Sequence, residues 1–266
     1  AAVSRWRRIN APNRTRLAGT QAPDANDEYL FYQALVGAWT IGAQGTPSAE
    51  AARDIEPRLR AYMLKAVREA KLHTSWITPN TDYEAAVERF VVRTLSGKTA
   101  PAFLDAFLPF IDRVAAAGMT NALAQLVLKI ASPGVADFYQ GTEVWDHSLV
   151  DPDNRRPVEW DRRQRVLGEL EPWLTRAAIP VADSSPDAEL ASQVTSLLAS
   201  WPDGRIKTFV TAAGMRLRRA RPTMFIHGSY VPLDVEGAYA DHVVAFARQI
   251  DTDLLRHIAI PLPPLP

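Results

Sequence analysis

The sequence predicts a mainly α protein with a small β part. Three observations carry this. Before Ser132 nearly every stretch repeats its apolar residues at three- and four-residue spacing. From Ser229 the repeat shortens to two, the period of strands. Between them, residues 132–158 read S-P-G-V-A-D-F-Y-Q-G-T-E-V-W-D-H-S-L-V-D-P-D-N-R-R-P-V. This is a turn signal (Pro133, Gly134), a short apolar-aromatic run (Val135, Phe138, Tyr139), Gly141, and a loop dense in groups that hold ligands. A buried strand followed by Gly and a polar loop is how an α/β barrel presents its chemistry, at the carboxyl ends of its strands.

Residues 3–9 read as the end of a basic helix, closed by Asn10-Ala11-Pro12-Asn13. Residues 14–27 are polar and turn-rich, which predicts a loop. Residues 28–41 carry Tyr29, Leu30, Tyr32, Leu35, Val36 and Trp39, a helix buried on more than one side. A break is expected at 44–48. Pro57 suits a helix start, where its missing N–H costs nothing, and Leu59, Tyr62, Met63, Val67 and Ala70 follow up to Lys71. Residues 73–80 interrupt the pattern. Thr81-Asp82-Tyr83-Glu84 has the form of a capping box, opening a helix that buries Tyr83, Val87, Phe90, Val91 and Leu95 and ends at Gly97. A helix at 101–117, kinked at Pro109, and another at 120–131 follow.

Beyond the central stretch, residues 160–174 read as a helix and 177–184 as a loop. Ser185-Pro186 caps a predicted helix reaching Trp201. Residues 206–220 form a basic helix with Ile206, Phe209, Val210, Ala213 and Leu217 as its apolar face; Arg216 to Arg221 read as its solvated end. Strands are expected at 230–235, 242–247 and 257–260, with a turn at 237–241, as the start of an antiparallel sheet. Pro232 confines its strand to an edge. The tail Pro261-Leu-Pro-Pro-Leu-Pro266 cannot continue a ladder.

The chain has 266 residues, formal net charge +0 and no cysteine. At roughly 100–200 residues per domain this is one large or two smaller domains. Zero net charge gives no electrostatic footprint for nucleic acid or acidic lipid. No apolar run approaching the roughly 20 residues of a membrane span is expected, nor a signal peptide. The chain opens without Met and within a helical pattern, so a fragment is expected. Without Cys there is no disulfide, which fits a reducing cytoplasm; a soluble, cytoplasmic protein is the expectation.

Carboxylates are the first candidates for chemistry. A retaining glycosidase needs two about 5–5.5 Å apart, and Asp137, Glu143, Asp146, Asp151 and Asp153 could supply them. Arg155 and Arg156 beside the acids lower carboxylate pKa values, which suits fixed hydrogen bonding more than proton donation; Asp151 to Asn154 also suits a plain turn. His73 and His147 lack a second His or Cys at ligand spacing, so no metal site is expected. No Gly-rich phosphate loop, dinucleotide fingerprint or G-x-S-x-G elbow occurs, so no cofactor is expected. Trp76, Tyr139 and Trp145 lie beside polar groups, which suits sugar stacking, although core packing is equally open for each.

Pro133 to Glu143, P-G-V-A-D-F-Y-Q-G-T-E, resembles the eighth-strand motif of α-amylase-type glycoside hydrolases, with Ala136 where many relatives have Pro. With W-D-H-S-L-V-D-P-D-N-R-R-P-V (145–158), H-T-S-W-I-T-P-N-x-x-Y-E (73–84) and D-G-R-I-K (203–207), the chain is similar to the maltooligosyltrehalose synthase family, (1→4)-α-D-glucan 1-α-D-glucosylmutases. The resemblance implies isomerisation of the reducing-end α-1,4 link of a maltooligosaccharide to an α,α-1,1 (trehalose) link. It implies a catalytic Asp, Glu and Asp after barrel strands four, five and seven; no H-D-T-K-R-type stretch occurs here, so no catalytic residue is expected in this chain.

The resemblance further implies a C-terminal portion: 1–131 as a helical insertion-type domain; 132–228 as the last strand of an incomplete (β/α)8 barrel with its active-site loop and helices; 229–266 as a partial C-terminal β domain. It implies Tyr139, Gln140, Glu143, Asp151, Asp153, Asn154, Arg155 and Arg156 as substrate-orienting residues, with His73, Trp76 and Asn80 as a second set. Partners would be the maltooligosaccharide and the rest of the barrel. The other reading is a non-catalytic helical module that binds glucan or a partner.

Overall fold

The structure, a computed structural model, describes residues 1–42, 48–151, 153–177, 187–250, 253–255 and 259–261. It is mostly helical, with two small antiparallel sheets. The chain folds as two compact units, Ala1–Ala115 with His147–Pro157, and Ala116–Asp146 with Val158–Pro266.

In the first unit, α1 (Ala2–Ile9) leads to a hairpin of β1 (Thr15–Leu17) and β2 (Thr20–Ala22). Then come α2 (Ala25–Ala38), α3 (Ala51–Ala70), α4 (Thr81–Ser96) and the first part of α5 (Ala100–Ala131). The core is aromatic: Trp6 packs on Tyr32, Phe103, Phe107 and Phe110, and Phe31 meets Phe90 edge-on. Burying each such side chain is worth roughly 1.5–3 kcal/mol. The Asn-Ala-Pro-Asn breaker is itself structural. Asn10 donates to the Tyr32 hydroxyl at 3.1 Å and Asn13 to Thr94 Oγ1 at 3.2 Å, tying the end of α1 to α2 and α4.

The second unit holds the rest of α5, α6 (Trp160–Ala177), α7 (Ala188–Ala199), α8 (Arg205–Ala220) and α9 (Pro222–His227). Leu170, Leu174, Leu197, Ile206 and Phe209 are central to its core. In the sheet, β4 (Val243–Ile250) pairs antiparallel with β3 (Ser229–Pro232), and also with β5 (Asp253–Leu255) and β6 (Ala259–Pro261). β3 is an edge strand, which accommodates Pro232.

Several expectations change. The loop expected at 14–27 contains the hairpin, whose three-residue strands are too short to show a period of two. Helix α2 begins three residues earlier than periodicity places it, because Asp24 caps it, accepting from the N–H groups of Asn26 and Asp27 at 2.9 Å. Pro57 lies inside α3, not at its start. The cap of α4 is Asn80, whose Oδ1 accepts from Tyr83 N–H at 3.1 Å; Glu84 is drawn instead to Arg68 and Thr74. The helices expected at 101–117 and 120–131 are one 32-residue helix. Gly118 inside it costs about 1 kcal/mol relative to Ala, which the apolar faces on either side of it offset.

Helix α5 is also, by length and composition, long and apolar enough to cross a membrane, contrary to the expectation that no run is. Its Phe103, Phe107, Ile111, Ala124, Leu126 and Ile130 are buried in protein. Residues 132–139 form no strand: Val135 is 94% exposed and the backbone joins no ladder among the described residues. A strand needs a neighbour to take its N–H and C=O groups, and none is offered here. Helix α9 is additional to the sequence reading. The break at 44–48, the Ser185-Pro186 cap and the tail after Pro261 fall wholly or mainly outside the described residues.

Candidate functional site

In the first unit, residues 147–157 form a turn-rich loop with one 3-10 turn at Asp153–Arg155. Helix α3 holds it. Arg58 Nε reaches both carboxylate oxygens of Asp153, at 3.0 and 3.1 Å, while Nη2 donates to Oδ2 at 2.8 Å and to the His147 carbonyl at 2.6 Å. The Leu149 N–H donates to the same carboxylate at 2.7 Å. Burial pushes the Asp153 carboxyl up. The bonds from Arg58 and Leu149, with the charges of Arg58 and Arg156, outweigh burial and hold it below the usual carboxylate range. A carboxylate kept ionised this way accepts hydrogen bonds and orients its neighbours; it is poorly suited to donating a proton.

Around it, Asp151 lies 3.7 Å from Lys65 Nζ and 2.7 Å from Arg155 Nη2, the latter an ion contact and not an aligned hydrogen bond. The Asp151 N–H donates to Asn154 Oδ1 at 3.1 Å, and Arg156 donates to the Asp153 carbonyl and to Ser148 Oγ. The guanidinium ends of Arg155 and Arg156 remain largely exposed.

A second cluster in this unit surrounds residues 73–80. His73 Nε2 is 2.7 Å from Asp24 Oδ2, and its ring stacks on Tyr83 at 4.5 Å. The Tyr83 hydroxyl donates to Asp27 Oδ2 at 2.5 Å. Asp24, Asp27 and His73 bring ligand-type atoms within 4.8 Å of one another. The fold assembles this set of side chains from separate segments, which spacing along the sequence cannot reveal. Burial raises the Asp27 carboxyl despite the Tyr83 bond. Each of the three is engaged by hydrogen bonds within the protein, so the cluster reads as a junction between α2, α4 and the loop. Trp76 projects from that loop, 56% exposed, with the Arg68 guanidinium 4.7 Å from its ring centre.

Tyr139, Gln140 and Glu143 belong to the second unit. Tyr139 is half exposed and Gln140 exposed. Arg163 on α6 clasps this turn, with Nε 3.0 Å from Glu143 Oε2 and Nη2 2.7 Å from the Gly141 carbonyl. Gly141 has φ 87°, and a Cβ there would lie 3.3 Å from Val158. The D-G-R-I-K motif now has a physical role. Asp203 caps the Arg205 N–H at 2.9 Å, and Gly204 (φ 81°) lets the backbone meet Val144, where a Cβ would come to 3.0 Å. Lys207 donates to the Val144 carbonyl at 3.0 Å and Thr208 to that of Glu143 at 2.9 Å. Burial draws the Lys207 ammonium down, partly countered by Asp146 and Glu143. The Trp145 indole N–H donates to the Trp201 carbonyl at 2.5 Å.

Of the residues singled out from sequence, Asp151, Asp153, Asn154, Arg155 and Arg156 form one network, and His73 and Asn80 meet at Tyr83. Arg58, Arg68, Arg163 and Lys207, which position these segments, escape a sequence reading. The one trace is that Arg58, Tyr62 and Lys65 recur at helical spacing beside the apolar stripe of α3.

No family model matches the chain. It is 34% identical over 230 residues to a Mycobacterium tuberculosis protein assigned as a maltooligosyl trehalose synthase, covering 86% of this chain and 24% of that protein. Its fold matches a crystal structure of maltooligosyl trehalose synthase with TM-score 0.69 and 33% identity, over 93% of this chain and 28% of that one. The maltooligosyltrehalose synthase of Arthrobacter ramosus matches with TM-score 0.64 and 33% identity, over 91% of this chain and 26% of that one. The chain thus spans about a quarter of the length of these relatives. Sequence and fold agree over nearly all of it: the chain belongs to the maltooligosyl trehalose synthase family, of which it is a C-terminal portion.

Proposed function

We propose that this chain supplies part of the substrate cleft of a maltooligosyltrehalose synthase and not its bond-breaking carboxylates. The whole enzyme would isomerise the reducing-end α-1,4 link of a maltooligosaccharide to an α,α-1,1 link. In this reading residues 1–131 are the helical insertion, 132–228 the last barrel strand with its loop and helices, and 229–266 part of the C-terminal sheet domain. Residues 132–139, which join no ladder among the described residues, would find one in strands contributed by the rest of the barrel.

The observation that carries the proposal is the state of the acids. Asp153 is bound by the Arg58 fork and Glu143 by Arg163, so both are fixed acceptors that suit sugar hydroxyls better than proton transfer. Tyr139, Gln140, Asp151, Asn154, Arg155 and Arg156 would orient the terminal glucose units, with His73, Trp76 and Asn80 as a second set. Such a cleft must also restrict water, because water reaching the glycosyl-enzyme would give hydrolysis in place of isomerisation.

The test pairs two measurements on the purified chain. Incubated with maltopentaose, it should form no trehalose-ended product; turnover would show that the catalytic groups lie within it. Calorimetric titration should detect maltopentaose binding that weakens in Arg155→Ala and in Trp76→Ala. Binding that survives both changes would remove these residues from the cleft and favour a glucan-binding module of different design.

A further inference from the structure

We infer that Arg68, Thr74 and Glu84 form a positioning clamp that fixes Trp76 as a one-sided stacking platform for a neutral ring-shaped ligand. The ligand part rests on the proposed glucan-cleft reading and names a pyranose as the class.

The clamp is built from α3, the 71–80 loop and α4. Glu84, on the first turn of α4, receives Arg68 Nε at 2.8 Å on one oxygen and Nη2 at 2.6 Å on the other. The Thr74 hydroxyl donates to the first of those oxygens at 2.6 Å, and the Asn80 N–H donates to Thr74 Oγ1 at 2.9 Å. Thr74 and Glu84 are both buried. The loop is further closed by Ser75 N–H to the Thr78 carbonyl at 3.2 Å and Thr78 N–H to Ser75 Oγ at 2.9 Å. A bidentate fork fixes the plane of a guanidinium as well as its position, and this guanidinium lies 4.7 Å from the centre of the Trp76 ring.

The ring is therefore supported from one side, while it stays 56% exposed overall. An aromatic side chain left this open, on a loop that spends so many hydrogen bonds on holding still, is poised for a partner that offers a flat apolar surface. A pyranose presents its C–H groups as one such surface, with hydroxyls at the rim. The Arg68–Glu84 pair carries no net charge, which favours a neutral ligand over an anion. Arg68, Thr74 and Glu84 are positioning residues, since each acts through Trp76.

The experiment uses the 266-residue chain with maltopentaose as the calorimetric probe, and compares the parent with Trp76→Ala, Arg68→Ala, Arg68→Lys and the Trp76→Ala/Arg68→Ala double variant. In parallel, the Trp76 indole N–H resonance is assigned among the seven tryptophans by its loss in Trp76→Phe and followed without ligand. Trp76→Ala should weaken binding about five- to tenfold. Arg68→Ala should weaken it too, but add nothing in the Trp76→Ala background. Arg68→Lys should not restore binding, because an ammonium cannot form the fork. Arg68→Ala should also shift and broaden the Trp76 resonance while the other six stay in place.

An Arg68→Ala effect that persists without Trp76, or a Trp76 resonance that does not move, overturns the clamp. Absence of any maltopentaose binding by the parent overturns the ligand and the proposed function together, and the resonance still decides the clamp. Unchanged binding in Trp76→Ala overturns the platform alone.

Discussion

Replacing Arg58 with Ala should destabilise the protein by about 3 kcal/mol at neutral pH. The Arg58 side chain is 17% exposed and that of Asp153 9%. The variant loses the fork to Asp153 and the bond to the His147 carbonyl. What remains for the carboxylate is the Leu149 N–H and the Arg156 contact at 3.1 Å. Removing one partner of a buried pair costs about 3–5 kcal/mol; the residual partners and the exposed fraction of Arg58 place this case at the lower end. At about 2–4 °C per kcal/mol for a chain of this size, the melting midpoint falls by about 6–12 °C.

The effect has a pH signature. The folded Asp153 pKa lies below its ordinary 3.8, so the stability it contributes is present above that value and is lost as pH falls through the folded pKa. In Arg58→Ala, burial acts against less opposition and the carboxyl protonates sooner. The gap between parent and variant should therefore narrow as pH falls below 3.8. Thermal melts followed by far-ultraviolet circular dichroism, at neutral pH and near pH 3, measure both. A midpoint within about 1 °C of the parent at neutral pH, or a gap that does not change with pH, would refute the reasoning.

Three further outcomes follow from the same geometry. Gly204→Ala places a Cβ 3.0 Å from Val144 Cβ at φ 81°; it should cost about 1–3 kcal/mol in urea unfolding, and no loss would mean that the turn relaxes freely. Arg248, 3% exposed, donates to the carbonyls of Ala131, Phe225 and Gly228 and has no carboxylate partner among the described residues. Arg248→Met should cost about 2 kcal/mol; equal or higher stability would show that the buried charge, and not the loss of its bonds, dominates. Asp24→Ala removes the cap of α2 and should cost about 1 kcal/mol at neutral pH. Burial raises the Asp24 carboxyl but its hydrogen bonds to Asp27, His73 and Asn26 lower it further, so this cost should fade as pH falls below 3.8; a pH-independent cost would contradict the assignment.

Much of the fold is legible because periodicity reports burial directly. Leu59, Met63 and Val67 on α3, and Val87, Phe90 and Leu95 on α4, are buried as their spacing requires. Less is legible where a local signal competes with a distant partner. Glu84 satisfies the capping-box pattern, yet a guanidinium sixteen residues away binds it more strongly than a helix N–H would. Val135 to Tyr139 has the composition of a strand, but a strand also requires a neighbouring backbone, which composition cannot supply.

The sequence by itself determined the helical faces, the change to a period of two near Ser229, and the motifs at 73–84, 133–158 and 203–207 that carry the family. Those features are local, and residue order encodes them. Tertiary structure alone decided that Arg58 holds Asp153 from 95 positions away and that His73 meets Asp24 from 49 positions away. It also decided that Lys207 of D-G-R-I-K holds the Val144 carbonyl and that Thr208, the next residue, holds that of Glu143. Such pairs leave no periodic trace, because each is made by the crossing of elements whose separation along the chain is arbitrary.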